Sequence, residues 1–225
     1  MTPEERQQHV RQLTRYATDF AAFCREVLGY QDMLPEHEAL CAFLQDPSAR
    51  EKLVLMPRYS FKSCISTVGF SLWRLMRQDS LRILIYSDAA ARAEAFLTDI
   101  KNHLLAKSAR STFRQVYGAW EVDPKQGVWN QTAIVIKPRS HAQAEPSVDT
   151  AGLETSRVGA HYDLILFDDL VTKENVTTPE QMAKVHQCYK AARSRLKPGG
   201  ELVIIGTRWH FGDLYGRLQA EEQAR

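Results

Sequence analysis

Lys62 and Ser63 follow the apolar run Leu53-Val-Leu-Met56 and Pro57, and they are residue types that handle phosphate. A lysine ammonium reaches the outer phosphates of a nucleotide, a serine hydroxyl ligates Mg²⁺, and the N–H groups at the start of a helix hold phosphate oxygens. The segment Met56-Pro-Arg-Tyr-Ser-Phe-Lys-Ser63 has the length and ending of the G-x-x-x-x-G-K-[ST] loop. It carries Met56 and Phe61 at the two glycine positions, so only the chemistry of the motif is kept. Arg58, Tyr59, Ser60, Phe61, Lys62, Ser63 and Cys64 are the residues expected around a bound nucleotide, with Arg58 as a second cation. Taken alone, a surface Lys-Ser after a strand explains the segment equally well.

A second element decides between the two. Residues 163–169 read Asp-Leu-Ile-Leu-Phe-Asp-Asp. Four consecutive apolar residues predict a strand buried on both faces, as in a parallel sheet. Two carboxylates stand at its C-terminal end. In ATP chemistry the first, Asp168, belongs to the Mg²⁺ shell and the second, Asp169, polarises the attacking water. A helix cap accounts for one aspartate but not for two. Together the two elements predict hydrolysis of Mg²⁺-ATP.

The elements that must position these groups alternate along the chain. Strand-like runs fall at 52–57, 82–87, 132–137, 163–168 and 201–206. Helical stripes lie between them: Ile65, Val68, Leu72, Leu75 and Met76; Phe96, Leu97, Ile100 and Leu104; Met182, Val185, Tyr189, Ala192 and Leu196; and Phe211, Leu214, Tyr215 and Leu218. This alternation predicts an α/β fold with a mainly parallel sheet. Ligands of such sheets sit at the C-terminal ends of the strands. The Lys62 loop, Asp168/Asp169 and Gly206-Thr207 all fall there. Upstream, Thr2-Pro-Glu-Glu5 reads as a capping box. One helical stripe then runs through Val10, Leu13, Ala17, Phe20, Cys24, Val27 and Leu28 to Gly29. A second helix is expected over Pro35–Leu44 with Leu40, Phe43 and Leu44 inward. Residues 107–131 are expected to be a hairpin or loop, and 138–161 a long loop.

Composition narrows the class. The chain has 225 residues, enough for one large domain, and a formal net charge of only +2, so any contact with nucleic acid must be local. Cys24, Cys41, Cys64 and Cys188 form no C-x-x-C pair and read as free thiols. No apolar run approaches membrane-spanning length, and the N-terminus does not read as a signal peptide.

With these motifs in place, the chain resembles the large terminase subunit of tailed bacteriophages, the ATP-driven DNA-packaging motor. Met56–Ser63 looks like that family's deviant Walker A, which keeps an arginine near its start and often loses a glycine. Glu145–Gly152, followed by Gly159–Asp163, resembles the approach to Walker B, and Leu164–Asp169 resembles Walker B itself. Ile205-Gly-Thr-Arg-Trp-His-Phe-Gly-Asp-Leu214 is similar to the coupling motif and the helix after it, and is the most specific of the four. The motif order covers roughly residues 30–220.

The resemblance implies an α/β P-loop NTPase of the ASCE, RecA-like type. It would have an N-terminal helical subdomain over 1–50 and an ATPase core over 51–225. It implies ATP and Mg²⁺ as ligands. The implied partners are a homo-oligomeric ring, double-stranded DNA, the portal of a procapsid and a small terminase subunit, in the host cell cytoplasm during virion assembly and not at a membrane. The family's C-terminal nuclease is not expected within these residues.

Carried over residue by residue, Lys62 and Ser63 bind phosphate and Mg²⁺, Arg58 contacts the γ-phosphate, Asp168 holds Mg²⁺ and Thr207 senses the γ-phosphate. Asp169 takes the catalytic position, where Glu is usual, with Glu174, Glu154 and Glu145 in reserve. His37 falls where an adenine-binding motif would lie. Ring ATPases often complete their site with an arginine from the neighbouring subunit. Arg139, at the start of the long loop, is the expected finger, with Arg157 next. Two other readings stand beside this one. A superfamily 2 helicase would need an arginine-rich motif in a second RecA-like domain, which these residues do not show. The other is a P-loop protein that binds nucleotide without motor activity.

Overall fold

The structure, a computed structural model, describes residues 2–105, 112–141, 143–155 and 159–224. Its frame is a six-stranded sheet with the order β1-β6-β5-β2-β4-β3. The strands are β1 (Glu51–Leu55), β2 (Ile83–Ser87), β3 (Ala133–Ile134), β4 (Val148–Gly152), β5 (Tyr162–Asp168) and β6 (Leu196–Gly206). All neighbours pair in parallel except the edge strand β3, which runs antiparallel to β4. The mixed α/β architecture read from the alternation is therefore present.

Strand side chains alternate between faces, and the central strands carry apolar residues on both, so each strand feeds two cores. Ile83 and Ile85 of β2, Leu164 and Leu166 of β5, and Val203 and Ile205 of β6 enter one core. Leu84, Tyr86, Ile165, Phe167, Leu202 and Ile204 enter the other. On the first face lie α4 (Phe70–Arg77), α5 (Ala90–Leu105), α6 (Thr112–Tyr117) and the N-terminal helices. On the second lie α7 (Pro179–Arg193) and α8 (Leu214–Gln223). Each fully buried Leu or Phe contributes about 1.5–3 kcal/mol, so the strand centres form a stiff scaffold whose ends carry the polar groups.

Several expectations are corrected. The first helical stripe is not one helix. α1 (Pro3–Thr18) ends at Asp19, whose carboxylate caps the next helix by accepting from Ala22 N at 2.9 Å. α2 (Phe20–Ala22) then continues as a π-helical turn over Phe23–Val27. Val10 is left 55% exposed. In α3 (Pro35–Gln45) the inward stripe is His37, Leu40, Cys41 and Leu44, while Phe43 is 44% exposed. The N-terminal helices share the core of the sheet: Phe20 packs on Phe70 and Trp73 at 5.6 and 5.1 Å, and Trp73 Nε1 donates to Tyr16 O at 2.9 Å. Within 107–131 a helix forms, α6, with Phe113 against Phe23. The expected strand at 132–137 shrinks to two residues, and the expected loop of 138–161 contains β4.

Candidate active site

Met56 N donates to Gly206 O at 3.1 Å, so the chain leaves β1 still tied to the tip of β6. The loop that follows has no glycine, yet Tyr59 and Phe61 adopt φ of 61° and 58°. Bulky residues rarely take this left-handed conformation, which costs roughly 1–3 kcal/mol and persists only when the surroundings impose it. Here the surroundings are visible. The Phe61 ring stands edge-on to Tyr30 at 5.0 Å and to His37 at 6.0 Å. His37 Nδ1 accepts from Leu34 N at 2.9 Å and its Nε2 meets Ser60 O at 2.8 Å, an arrangement the Nε2–H tautomer satisfies at both ends. His37, expected near the adenine, is instead buried, with both ring nitrogens engaged in bracing the loop.

Lys62 and Ser63 open the helix beyond the loop, which passes through a π-helical segment, Cys64–Gly69, before α4. π-turns of this kind are frequent at functional sites. Lys62 is buried, with Nζ 3.3 Å from Thr207 Oγ1 and 3.4 Å from Pro57 O. Thr207 Oγ1 donates in turn to Met56 O at 3.0 Å. Ser63 Oγ donates to Asp168 Oδ1 at 3.0 Å, and Thr67 Oγ1, one helical turn on, donates to Asp168 Oδ2.

Asp168 is fully buried at the end of β5. Burial is the main force pushing its carboxyl up to about 6; the charge of Asp169 adds to this, while the Thr67 and Ser63 hydroxyls and the Lys62 ammonium oppose it. A hydroxyl and a carboxylate side by side are hard oxygen donors of the sort Mg²⁺ takes, together with phosphate oxygens and waters. Ser63 and Asp168 fit that ion.

Asp169 sits on the same strand end with φ of 48°. Its N–H donates to Ile205 O at 2.9 Å, and its Oδ1 is buried without a hydrogen-bond partner among the described residues. A cavity of about 340 Å³ is lined by residues 58–64, Arg92 and Asp169. Arg58 stacks its guanidinium on Trp209 at 4.7 Å, which joins the P-loop to the loop after β6. Gly206 is required at that tip: a Cβ there would lie 2.2 Å from Tyr215 Oη.

The remaining sequence-derived residues are placed elsewhere. Arg139 lies at the N-terminal ends of the strands, the far end of the sheet from the P-loop, near Arg82, Glu145 and Asp163. It is half-buried and folded back, with Nη2 on Gln143 Oε1 at 2.7 Å. Arg157 lies outside the described residues. Glu145, bonded to Arg82 at 3.0 Å and to His161 N at 3.0 Å, is at the wrong end of the sheet for catalysis. Glu154 pairs with Lys184 on the surface. Glu174 is exposed, and the Arg58 charge is one of the influences that lower its pKa, after hydrogen bonds of its own backbone and Thr172.

Sequence reasoning missed Thr67, Arg92 and Trp209. Thr67 was findable, four residues after Ser63 and so on the same helix face. Arg92 follows Asp88 at the same spacing just beyond a buried strand, a signal too common to single out.

No family model matches the chain. In sequence it is similar to the terminase large subunit of Enterobacteria phage T3, at 24% identity over 171 residues, which are 75% of this chain and 28% of that protein. In fold it is similar to the HK97 bacteriophage large terminase, with a TM-score of 0.64 and 11% identity over 92% of this chain and 41% of that one. The chain thus spans less than half the length of either. The resemblance to a large terminase subunit, read from four motifs, is borne out by this relative and by this fold.

Proposed function

We propose that this chain is the ATPase portion of a large terminase subunit, hydrolysing ATP to drive double-stranded DNA into a procapsid. The observation that carries the reading is a convergence. Ser63 meets Asp168 and Lys62 meets Thr207, so the ends of β1, β5 and β6 converge next to a cavity lined by residues 58–64 and Asp169.

The roles follow from position. Lys62 exchanges its contacts with Thr207 and Pro57 for the outer phosphates, and Arg58 supplies a second charge at the rim. Ser63 and Asp168 would hold Mg²⁺, which when bound would neutralise charge on the phosphates. Asp169 accepts the proton of the attacking water. The water oxygen bonds to the γ-phosphorus as the bond from that phosphorus to the ADP oxygen breaks. Thr207 then loses a phosphate neighbour next to Lys62, and the tip of β6 and α8 feel the change through Gly206 and Tyr215. In the same reading the chain works as a ring on the portal, with a small terminase subunit.

Phosphate release from ATP, measured on the purified chain over a range of protein concentrations with and without DNA, tests the proposal. Hydrolysis that rises with concentration and vanishes in Lys62→Ala supports it. Nucleotide binding with no turnover under any of these conditions would replace it with a nucleotide-binding protein.

A further inference from the structure

A cavity of about 500 Å³ lies at the end of the sheet opposite the P-loop, where β1, β5 and β6 begin and α4 ends. It has the size of a small-molecule site, and none of the motifs reaches it. Its carboxylates are all engaged. Glu201 receives Lys52 Nζ at 2.8 Å and Arg74 as well. Asp163 is taken by Arg82 at 2.9 Å and by Lys197 at 3.2 Å. Asp46 closes its own turn, accepting from Ser48 N at 2.8 Å and Ser48 Oγ at 2.9 Å.

Two arginines are left over. Arg50, just before β1, commits one nitrogen, Nη1, to Gly199 O. Arg77, at the end of α4, lies over the Trp73 ring at 4.4 Å. Both line the cavity, and neither has an ion pair among the described residues. Basic residues are favourable in the last turn of any helix, which gives Arg74 and Arg77 an ordinary reason to be on α4. It gives none for their crowding, since burial and then the Arg77 charge work against the Arg74 cation. Nor does it explain Arg50, which comes from another element.

A guanidinium held by one nitrogen, or by stacking, still offers a fork of N–H donors. Two such forks share one concave space here. A carboxylate fills one fork with its two oxygens, whereas a phosphate compound has oxygens and charge enough for both. A DNA duplex is a convex rod that calls for a stripe of one sign, and this cavity sets three carboxylates among its cations.

We infer that the cavity is a second anion site, separate from the P-loop, for a small free compound carrying two or more phosphoryl groups. Arg50 and Arg77 bind it, and Arg74 and Lys197 add charge at the wall. The ligand joins the start of β1 to the end of α4, the two elements that flank the P-loop, from their far ends.

Inorganic pyrophosphate, titrated calorimetrically into the full chain carrying Lys62→Ala, tests this with the P-loop lysine removed. One molecule is expected to bind per chain and to raise the melting temperature. In that background Arg50→Ala and Arg77→Ala are each expected to weaken binding by roughly 10-fold or more, and the two together to abolish it along with the thermal shift. Arg77→Lys keeps the charge without the fork and should recover only part of the affinity. Arg50→Gln and Arg77→Gln give the same comparison if truncation unsettles the fold around Trp73. Pyrophosphate that fails to bind at roughly millimolar concentration, or that binds as well without both arginines, would overturn the site. A short DNA duplex that displaces pyrophosphate and loses its own affinity in the same variants would overturn the choice of ligand and give the arginines to a nucleic-acid backbone. The inference does not rest on ATP hydrolysis, so a chain without turnover leaves each of these outcomes readable.

Discussion

Asp163 and Asp168 lie on one strand, β5, and live under opposite electrostatics. At the N-terminal end, Asp163 receives Arg82 through Nε at 2.9 Å and Nη2 at 3.2 Å, and Lys197 at 3.2 Å. Arg82 also holds Glu145, and nearby Lys52 is paired with Glu201 at 2.8 Å. Burial works against both acids, yet the bonds to Arg82, with His161 N for Glu145 and Lys197 for Asp163, hold both carboxyls below their ordinary range. At the other end, Asp168 is buried with two hydroxyls and a repelling neighbour, and its pKa rises. One end of the sheet uses its charges to hold the fold. The other keeps a carboxylate, Asp168, whose burial outweighs the hydroxyls and the lysine beside it. An acid made costly by its own fold is ready for a cation from outside.

The largest effect that tests this contrast is Asp168→Ala. It is expected to lower kcat at least roughly 10³-fold, about 4 kcal/mol of barrier, with little loss of thermal stability. Asp163→Ala should do the reverse, destabilising by about 1.5–3 kcal/mol through the lost bonds to Arg82, which keeps only Glu145, while the folded fraction still turns over. Phosphate release and thermal melts on the same samples check both. If Asp163→Ala were inactive but fully stable, the division between the two ends would be wrong.

Titration sharpens the comparison. Asp168 rises from an ordinary 3.8 to about 6, so in the metal-free protein its contribution to stability is present below the unfolded value and is lost as pH rises through about 6. Asp163 is lowered, so its contribution is present above 3.8 and is lost as pH falls below that. Metal-free Asp168→Asn should therefore gain on wild type between pH 5 and 7, by roughly 1–2 kcal/mol in chemical denaturation. Asp163→Asn should lose most at neutral pH. Equal pH slopes in the two variants would contradict the opposed shifts.

A smaller effect belongs to the brace of the P-loop. His37→Ala removes the partner of Ser60 O and one ring from Phe61. ATP affinity should fall by roughly 10-fold, with kcat within a few-fold of normal, since the strained loop loses part of what holds it. Isothermal titration with ATP reads this directly. The smallest effect is expected for Arg139→Ala, at the structural end of the sheet: turnover within 2-fold of wild type at any protein concentration.

The sequence disclosed most where apolar runs were unbroken. β2, β5 and the latter half of β6 are apolar at successive positions, and only a strand covered on both faces tolerates that. The nearness of Lys62, Ser63, Asp168 and Thr207 followed from placing each at a strand end. β4 was hidden because Val148-Asp-Thr-Ala-Gly152 reads as turn chemistry. It holds a place in the sheet because Tyr162 donates to Asp149 at 2.7 Å, Thr150 binds Thr132 O at 2.9 Å, and Gly152 admits the start of α5. None of these is a local property. The position of Arg139 was hidden for a related reason: loop length shows that a residue is reachable, but not at which end of the sheet it lies. The left-handed loop at Tyr59 and Phe61 could not be read either, since the residues that enforce it, Tyr30 and His37, belong to the preceding helices.

The strand order has a consequence in time. β1 carries the P-loop, but its hydrogen-bonded neighbour in the sheet is β6, with Leu55 opposite Gly206. The strands between them in sequence pair among themselves, β2 with both β4 and β5. On a ribosome, β1 and its loop emerge early and find no sheet position until the last strand has been made. At 5–20 residues per second that is a delay of roughly 8–30 s. Through that interval the nascent chain has a lysine and a serine but no phosphate site, because the threonine of the third motif arrives with the strand that docks the first. In the proposed reading, ATP is therefore closed to the chain until Thr207, which would report its hydrolysis, is already in place.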